Sequence, residues 1–292
     1  MNTGELSAPP QHRCLPPQNR WDFLKSVQKT LKASTALLLM SIGMSMAALS
    51  MAVPQAIAQT FSATPVWSED FKGGTERWNV YDGPFATNNY TFFQRPNVWV
   101  DTTDGNGYLN LAILKDSGSQ VCTSGGVDTQ FSHTQRYGKW EVRAKVAPGY
   151  GAWTYIGLFP ENPSVWPPEV DFAEVIGKMP THLYLTQHYL NKGQVSTYNT
   201  TYNNSNTDWS ADFHTYTVEW IPKKISYYVD GVKVAEQPDK VGNNRMKLAI
   251  GTACGAPGSW ADHPDNATVN GFPYALPSFA QVDWVKIYRY TP

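Results

Sequence analysis

The stretch Trp166-Pro167-Pro168-Glu169-Val170-Asp171-Phe172-Ala173-Glu174-Val175-Ile176-Gly177 decides the reading of this chain. Three carboxylates fall within six residues, interleaved with Val, Phe, Ala, Val and Ile. That β-branched and aromatic dressing predicts a strand inside a sheet. Acidic residues are depleted in strands and costly to bury, so three together call for a reason. Glu169 and Asp171 are two apart and share a strand face. Glu174 stands at an odd offset from Glu169, which puts it on the opposite face of a regular strand. One extra residue bulged out around Phe172 or Ala173 restores the phase, and all three acids then line one face.

A retaining glycosidase needs two carboxylates about 5–5.5 Å apart. One attacks the anomeric carbon and the other stays protonated until it donates to the leaving oxygen. Asp171, between them, would hold charge or a shared proton and push the outer pKa values apart. Two other arrangements give alternate acids as well: a solvated acidic strand and a calcium-binding strand. Spacing alone leaves all three open.

Further segments bear on that choice. Glu169-Val-Asp171-Phe-Ala-Glu174 resembles the E-x-D-x-x-E signature of glycoside hydrolase family 16, in the bulged form of its laminarinase-like branch. Tyr137-Gly138-Lys139-Trp140-Glu141-Val142-Arg143-Ala144-Lys145 resembles the family's Y-G-x-x-E-x-R-x-K strand. Asp212-Phe213-His214-Thr215-Tyr216, Glu219-Trp220 and Tyr228-Val229-Asp230-Gly231 resemble its D-F-H-x-Y, E-W and Y-V-D-G segments, and Val282-Asp283-Trp284-Val285-Lys286-Ile287-Tyr288 its closing strand. The pieces run in family order. The resemblance implies Glu169 as nucleophile, Glu174 as general acid/base and Asp171 as their assistant. It also implies a β-jelly roll of two antiparallel sheets, whose concave side carries the substrate cleft.

The first sixty residues read differently. Lys25, Lys29 and Lys32 precede an uncharged run rich in Leu, Met and Ala, which ends Pro54-Gln55-Ala56-Ile57-Ala58. Residues 1–58 read as a signal peptide with a long basic leader, cut near Ala58, against the alternative of an uncleaved membrane anchor. Cleavage makes the protein secreted, extracellular or periplasmic, and touching a membrane only through that peptide. Residues 59–292 remain as one catalytic domain. Five of the 23 basic and two of the 24 acidic residues belong to the leader, which leaves 18 against 22 and a net charge of about −4. That balance argues against a nucleic-acid partner. A monomer acting on a polysaccharide is expected. Cys122 and Cys254 are the two cysteines left after the leader; an even pair in an exported protein permits one disulfide.

Beyond the leader, short alternating runs recur with turn signals between them: Gly107–Leu114, Gly138–Lys145 and Lys224–Val229, with Asp230-Gly231 and Asp104-Gly105-Asn106-Gly107 as turn chemistry. No helical stripe of three turns follows residue 60. The pattern predicts an all-β sandwich.

Ten Trp and sixteen Tyr lie beyond the leader, and aromatic faces suit both core and sugar. By resemblance, Trp166 stacks substrate near the cleaved bond, Trp260 ends a glycine-rich loop at the cleft edge, and Trp153 belongs to cleft or core. Trp140, Trp220 and Trp284 lie inside strand patterns and are expected in the core. His188 matches a family histidine on the next strand, able to bond a sugar hydroxyl or the acid/base, or to serve structure. Asn89 and Arg95 match residues that contact the glucose chain. Where family members carry a second Trp, this chain has Gly157, which would open a ring-sized space if that side faces the cleft. Catalysis needs no cofactor. A structural calcium between Asp70 and Asp283 is the metal the resemblance implies.

The function expected is a retaining endo-β-glycosidase cutting β-1,3 or mixed β-1,3/1,4-glucan, or an exported exopolysaccharide, by double displacement. The alternatives are a transglycosylase on the same polymers and a non-catalytic carbohydrate-binding sandwich. The leader has its own test: N-terminal sequencing of the exported protein should begin at Gln59, whereas a start upstream would mean retention as an anchor.

Overall fold

Strand alternation sets the architecture. In Gly138–Lys145, Trp140, Val142 and Ala144 point inward while Lys139, Glu141, Arg143 and Lys145 point out. Such a strand has one dry face and one wet face, and the dry face must be covered. The computed structural model describes residues 60–292 apart from 86–87 and 116–117, so the expected leader lies outside the described residues.

Two large sheets cover one another. One has seven strands in the order Gln194–Asn203, His182–Asn191, Glu169–Ile176, Ala152–Pro160, Met246–Cys254, Gly126–Asp128 and Asn79–Val80. The other has eleven and includes Gly138–Lys145, His214–Ile221, Lys224–Val229, Ser278–Tyr288 and Tyr108–Leu114. Their pairings are antiparallel except that of Thr91–Phe93 with Cys122–Ser124, which is parallel. Among the described residues the helical elements are two three-residue 3-10 turns, Arg95–Asn97 and Pro264–Asn266. The all-β sandwich is as the sequence predicts.

One core joins the sheets. Trp140, Val142, Val285 and Ile287 of the larger sheet pack with Ile156, Leu158, Val170, Phe172, Leu183, Leu185, Leu248 and Ile250 of the smaller. Asp230 and Gly231, at φ 50° and 77°, close the two-residue hairpin after Val229, the left-handed turn their residue types favour. Trp140 and Trp220 are fully buried, as expected. Trp284 is not. Arg143 pairs with Trp284 but Ala144 pairs with Val282, so Asp283 is bulged. The bulge turns Trp284 to the outer face, where the Lys286 ammonium sits 4.1 Å from its ring centroid.

Cys122 and Cys254 form a disulfide with Cα atoms 6.3 Å apart. The two residues sit at the ends of strands and tie one sheet to the other. Because the bridge closes a span of 132 residues, it restricts the unfolded chain strongly. The double variant Cys122→Ser/Cys254→Ser should lose roughly 2–5 kcal/mol of stability. Thermal melts with and without reductant would show it, as a shift in the wild type that the variant lacks.

Candidate active site

The expected bulge exists, and it sets the site. Gly157 pairs with Asp171 and Ile156 with Ala173, so Phe172 is the extra residue. The same skip occurs on the other side, where Asp171 pairs with Thr186 and Glu174 with Tyr184. Phe172 and Ala173 therefore both face the core with Val170 and Val175, and Glu169, Asp171 and Glu174 all face a cleft of about 1210 Å³.

Pairing across the seven-stranded sheet arranges the cleft floor in three transverse rows. The first runs Thr197, His188, Glu169, then Phe159 and Lys247; the second runs Asn199, Thr186, Asp171, Gly157, Ala249 and Asp128; the third runs Thr201, Tyr184, Glu174, Tyr155 and Gly251. The acids thus lie between a polar flank of Thr, Asn, Tyr and His and a flank of aromatic and very small residues that ends in the paired Lys247 and Asp128.

Each outer acid is held by a tryptophan. Trp166, 52 % exposed, donates its indole N–H to Glu169 Oε2. Trp153 donates to Glu174 Oε1 at 3.2 Å, and the Thr186 hydroxyl to Glu174 Oε2 at 3.4 Å, with Asn199 bonded to that hydroxyl at 3.1 Å. Trp260 meets Trp153 edge-on at 5.5 Å and Tyr184 at 4.7 Å. His188 places Nε2 3.8 Å from Asp171 Oδ2. It therefore serves the Glu169–Asp171 end of the site and stands away from the acid/base position.

Burial decides the protonation states. Glu174 is raised to about 8, first by burial and then by the charge of Glu169, against the opposing bonds from Trp153 and Thr186. Asp171 is pushed well up by burial and by the charges of Glu169 and Glu174. Its Oδ2 has no donor among the described residues. Glu169 beside it adds to the burial that keeps the Asp171 carboxyl protonated.

The structure brings Trp153, Trp166, His188, Trp260 and Arg95 to the cleft with the three acids. Arg95 stands at the rim, 3.7 Å from Asp82. Asn89 is corrected: it is an exposed turn residue that does not line the cleft. Its neighbour Asn88 turns inward instead and bonds the Cys254 carbonyl.

Gly157 does face the cleft, but no ring-sized space lies there. A Cβ at Gly157 would stand 2.7 Å from Asp171 Oδ1 and 3.1 Å from the Phe159 ring. The missing side chain is room taken by Asp171. Gly251 serves Tyr155 in the same way, since a Cβ there would lie 2.3 Å from the Tyr155 hydroxyl.

Sequence reasoning missed Tyr155, Phe159, Tyr184, Thr186 and Asn199. Parity could have found most of them: Tyr155 and Phe159 lie at even offsets from Trp153, and Tyr184 and Thr186 at even offsets from His188.

The two carboxylates expected to hold a calcium between them, Asp70 and Asp283, have other partners in this structure. Asp283 is ion-paired with the Arg143 guanidinium, and Asp70 caps the N–H of Lys72. Neither belongs to a group of three or more metal-type ligands among the described residues.

Fold and site together define an all-β protein with paired acids in an open cleft. A model of glycosyl hydrolases family 16 matches residues 84–272, and the chain belongs to that family. It is 24% identical over 265 residues to glucan endo-1,3-beta-glucosidase A1 of Niallia circulans, a match covering 77% of this chain and 37% of that protein. It is 30% identical over 179 residues to the endo-1,3-1,4-beta-glycanase EglC of Rhizobium meliloti, covering 61% and 36%. The chain thus spans little more than a third of the length of these two relatives. Among solved structures, the catalytic domain of an endo-1,3-beta-glucanase from Thermotoga petrophila shares its fold, with TM-score 0.66 and 24% identity, covering 80% of this chain and all of that one.

The raised Glu174 has a consequence for stability. Its folded pKa of about 8 lies above the ordinary 4.5, so the native protein keeps a proton that the unfolded chain has given up in that window. Unfolding then releases a proton, and stability falls as pH rises from about 4.5 to about 8. Glu174→Gln removes this share of the dependence. Relative to wild type, the variant should melt at higher temperature at pH 8 and not at pH 4; equal gains at both would contradict the burial argument.

Proposed function

We propose that the protein is a secreted, retaining endo-β-glucanase acting on β-1,3 or mixed β-1,3/1,4-glucan. The observation that carries the reading is the pair Glu169 and Glu174 on one cleft face in unlike surroundings. Glu174 is buried and keeps its proton to neutral pH, while Glu169 is partly open beside the exposed Trp166. An acid that holds a proton and a neighbour that offers a lone pair are the two parts that double displacement needs.

The steps follow from that division. Glu169 attacks the anomeric carbon as the glycosidic C–O bond breaks, and the Glu174 proton passes to the leaving oxygen. Glu174, now a carboxylate, takes a proton from water; the water oxygen bonds to the anomeric carbon and Glu169 departs. Asp171, buried beside Glu169 and pushed up by its charge, keeps a proton next to the nucleophile. A sugar hydroxyl in place of water would make the same intermediate a transfer product. An open cleft floored by several strands suits internal attack on a polymer. The names of the two glucan-cleaving relatives support the linkage. Export through the leader would give the enzyme access to food glucans and to the cell's own exported polysaccharide.

The test is reducing-end release from laminarin, lichenan, agarose and a succinoglycan-type exopolysaccharide. Glu169→Gln should abolish release on whichever polymer the wild type cuts, and Glu174→Gln should lower it about 10²–10⁴-fold. Proton NMR of the first product should show the β-anomer. An α-anomer, or an active Glu169→Gln, would overturn the assignment.

A further inference from the structure

Lys247 is the anomaly of the cleft floor. It is 8 % exposed, on a strand whose other residues, Met246–Cys254, are apolar, Gly or Thr. A buried ammonium is costly unless it is paired and hydrogen-bonded. Its partner is Asp128, fully buried, at 2.7 Å from Nζ, and Gln130 Oε1 accepts a second bond at 2.8 Å. An ammonium carries three N–H groups. The third has no acceptor among the described residues, and Lys247 lines the cleft.

The position of this donor is informative. Lys247 pairs with Phe159, and Phe159 follows Leu158, the partner of Val170, so the first floor row continues from Glu169 across Phe159 to Lys247. At one strand spacing per step, Lys247 stands two strands, roughly 10 Å, from the nucleophile's strand. Between them the Phe159 ring is partly open to the cleft. An apolar ring followed by a fixed donor is the pairing that a sugar presents in return, a C–H face and a rim of hydroxyls.

Resting on the glucanase reading above, we infer that Phe159 and Lys247 form a distal subsite, in which a neutral glycosyl residue stacks on the ring and accepts a hydrogen bond from Lys247 through a hydroxyl. Charge selects the neutral sugar over an acidic one. Asp128 balances the ammonium one for one, with Asp128 Oδ1 taken by the Gln130 N–H at 2.8 Å and Asn79 Nδ2 3.4 Å from Oδ2. The site thus offers a direction and no net charge. Because the contact lies away from the reacting bond and is the same in ground and transition states, it lowers KM for chains long enough to reach it.

The experiment compares wild type with Lys247→Met, and with Lys247→Gln/Asp128→Asn, in which no buried charge is left unpaired. Steady-state kinetics on laminarin oligosaccharides of increasing length should show KM for the long members raised roughly ten-fold in both variants. The short members and kcat should stay unchanged, and the difference should be insensitive to salt. Equal losses on short and long members would make Lys247 structural only. A wild-type preference for a carboxylated or sulfated glucan, lost with Lys247 and weakened by salt, would make the ligand an anion; either result overturns the proposal. Calorimetric binding of the same oligosaccharides to Glu169→Gln, alone and combined with Lys247→Met, separates the subsite from the chemistry. Length-dependent binding that needs Lys247 upholds the subsite even if no turnover is found. Folded protein that binds no oligosaccharide refutes it.

Discussion

One backbone irregularity governs the site: the extra residue at Phe172. A regular strand would send Glu174 into the apolar core between the sheets, where an uncompensated carboxyl costs several kcal/mol. With the bulge, Phe172 and Ala173 both face inward and the acid turns into the cleft. The inserted residue thus satisfies two demands at once, an apolar face that must stay closed and three acids that must share the other face. A bulge fixes side-chain direction by covalent geometry, so the catalytic arrangement does not depend on any single hydrogen bond.

The neighbouring strands conform to that choice. Asp171 leans toward the Ala152–Pro160 strand, and Gly157 leaves the room it occupies. The two indole N–H groups come from different segments, Trp153 from the adjacent strand and Trp166 from the lead-in to the acidic strand. Each outer carboxylate is therefore oriented independently of the other. Trp153 is steadied in turn by Trp260, on a loop organised by Asp262, which accepts from Tyr150, Gly258, His263 and Asn266. Those donors hold the Asp262 carboxyl well below its ordinary range in spite of desolvation. The contrast with Glu174 is chemical. At Glu174 burial and the charge of Glu169 outweigh two donors, whereas at Asp262 four donors outweigh desolvation.

The strands and the acid triad were legible because they are local. Alternation along Gly138–Lys145 and the phase of three acids need nothing beyond neighbouring residues. What failed was whatever depended on partners. Trp284 was placed in the core because its strand was assumed regular, and the bulge at Asp283 reversed its direction. Gly157 was read as a vacancy if it faced the cleft, because the carboxylate that fills the room comes from another strand. Asn89 was carried over by resemblance alone, and the inward position went to Asn88, which bonds the Cys254 carbonyl. Lys247 gave no signal at all: a lone lysine in an apolar run looks like a strand-end residue until Asp128, far away in sequence, is placed beneath it.

Burying Asp171, Glu174, Asp128 and Lys247 in one sheet is unfavourable for folding, and the sandwich tolerates it because the opposite face of the same strands is continuous core. Val170, Phe172, Leu248 and Ile250 alternate with those charged or acidic residues on adjacent positions and are essentially fully buried. Each such side chain contributes about 1.5–3 kcal/mol on leaving water, so one face of each strand offsets what the other gives up. The two faces are coupled by the alternation of each strand, interrupted in the acidic strand by the one extra residue at Phe172. A one-residue slip in either strand would expose the apolar set and drive the acids into the core. The register that makes the cleft chemically useful is for that reason the only one in which the sheet can close its core.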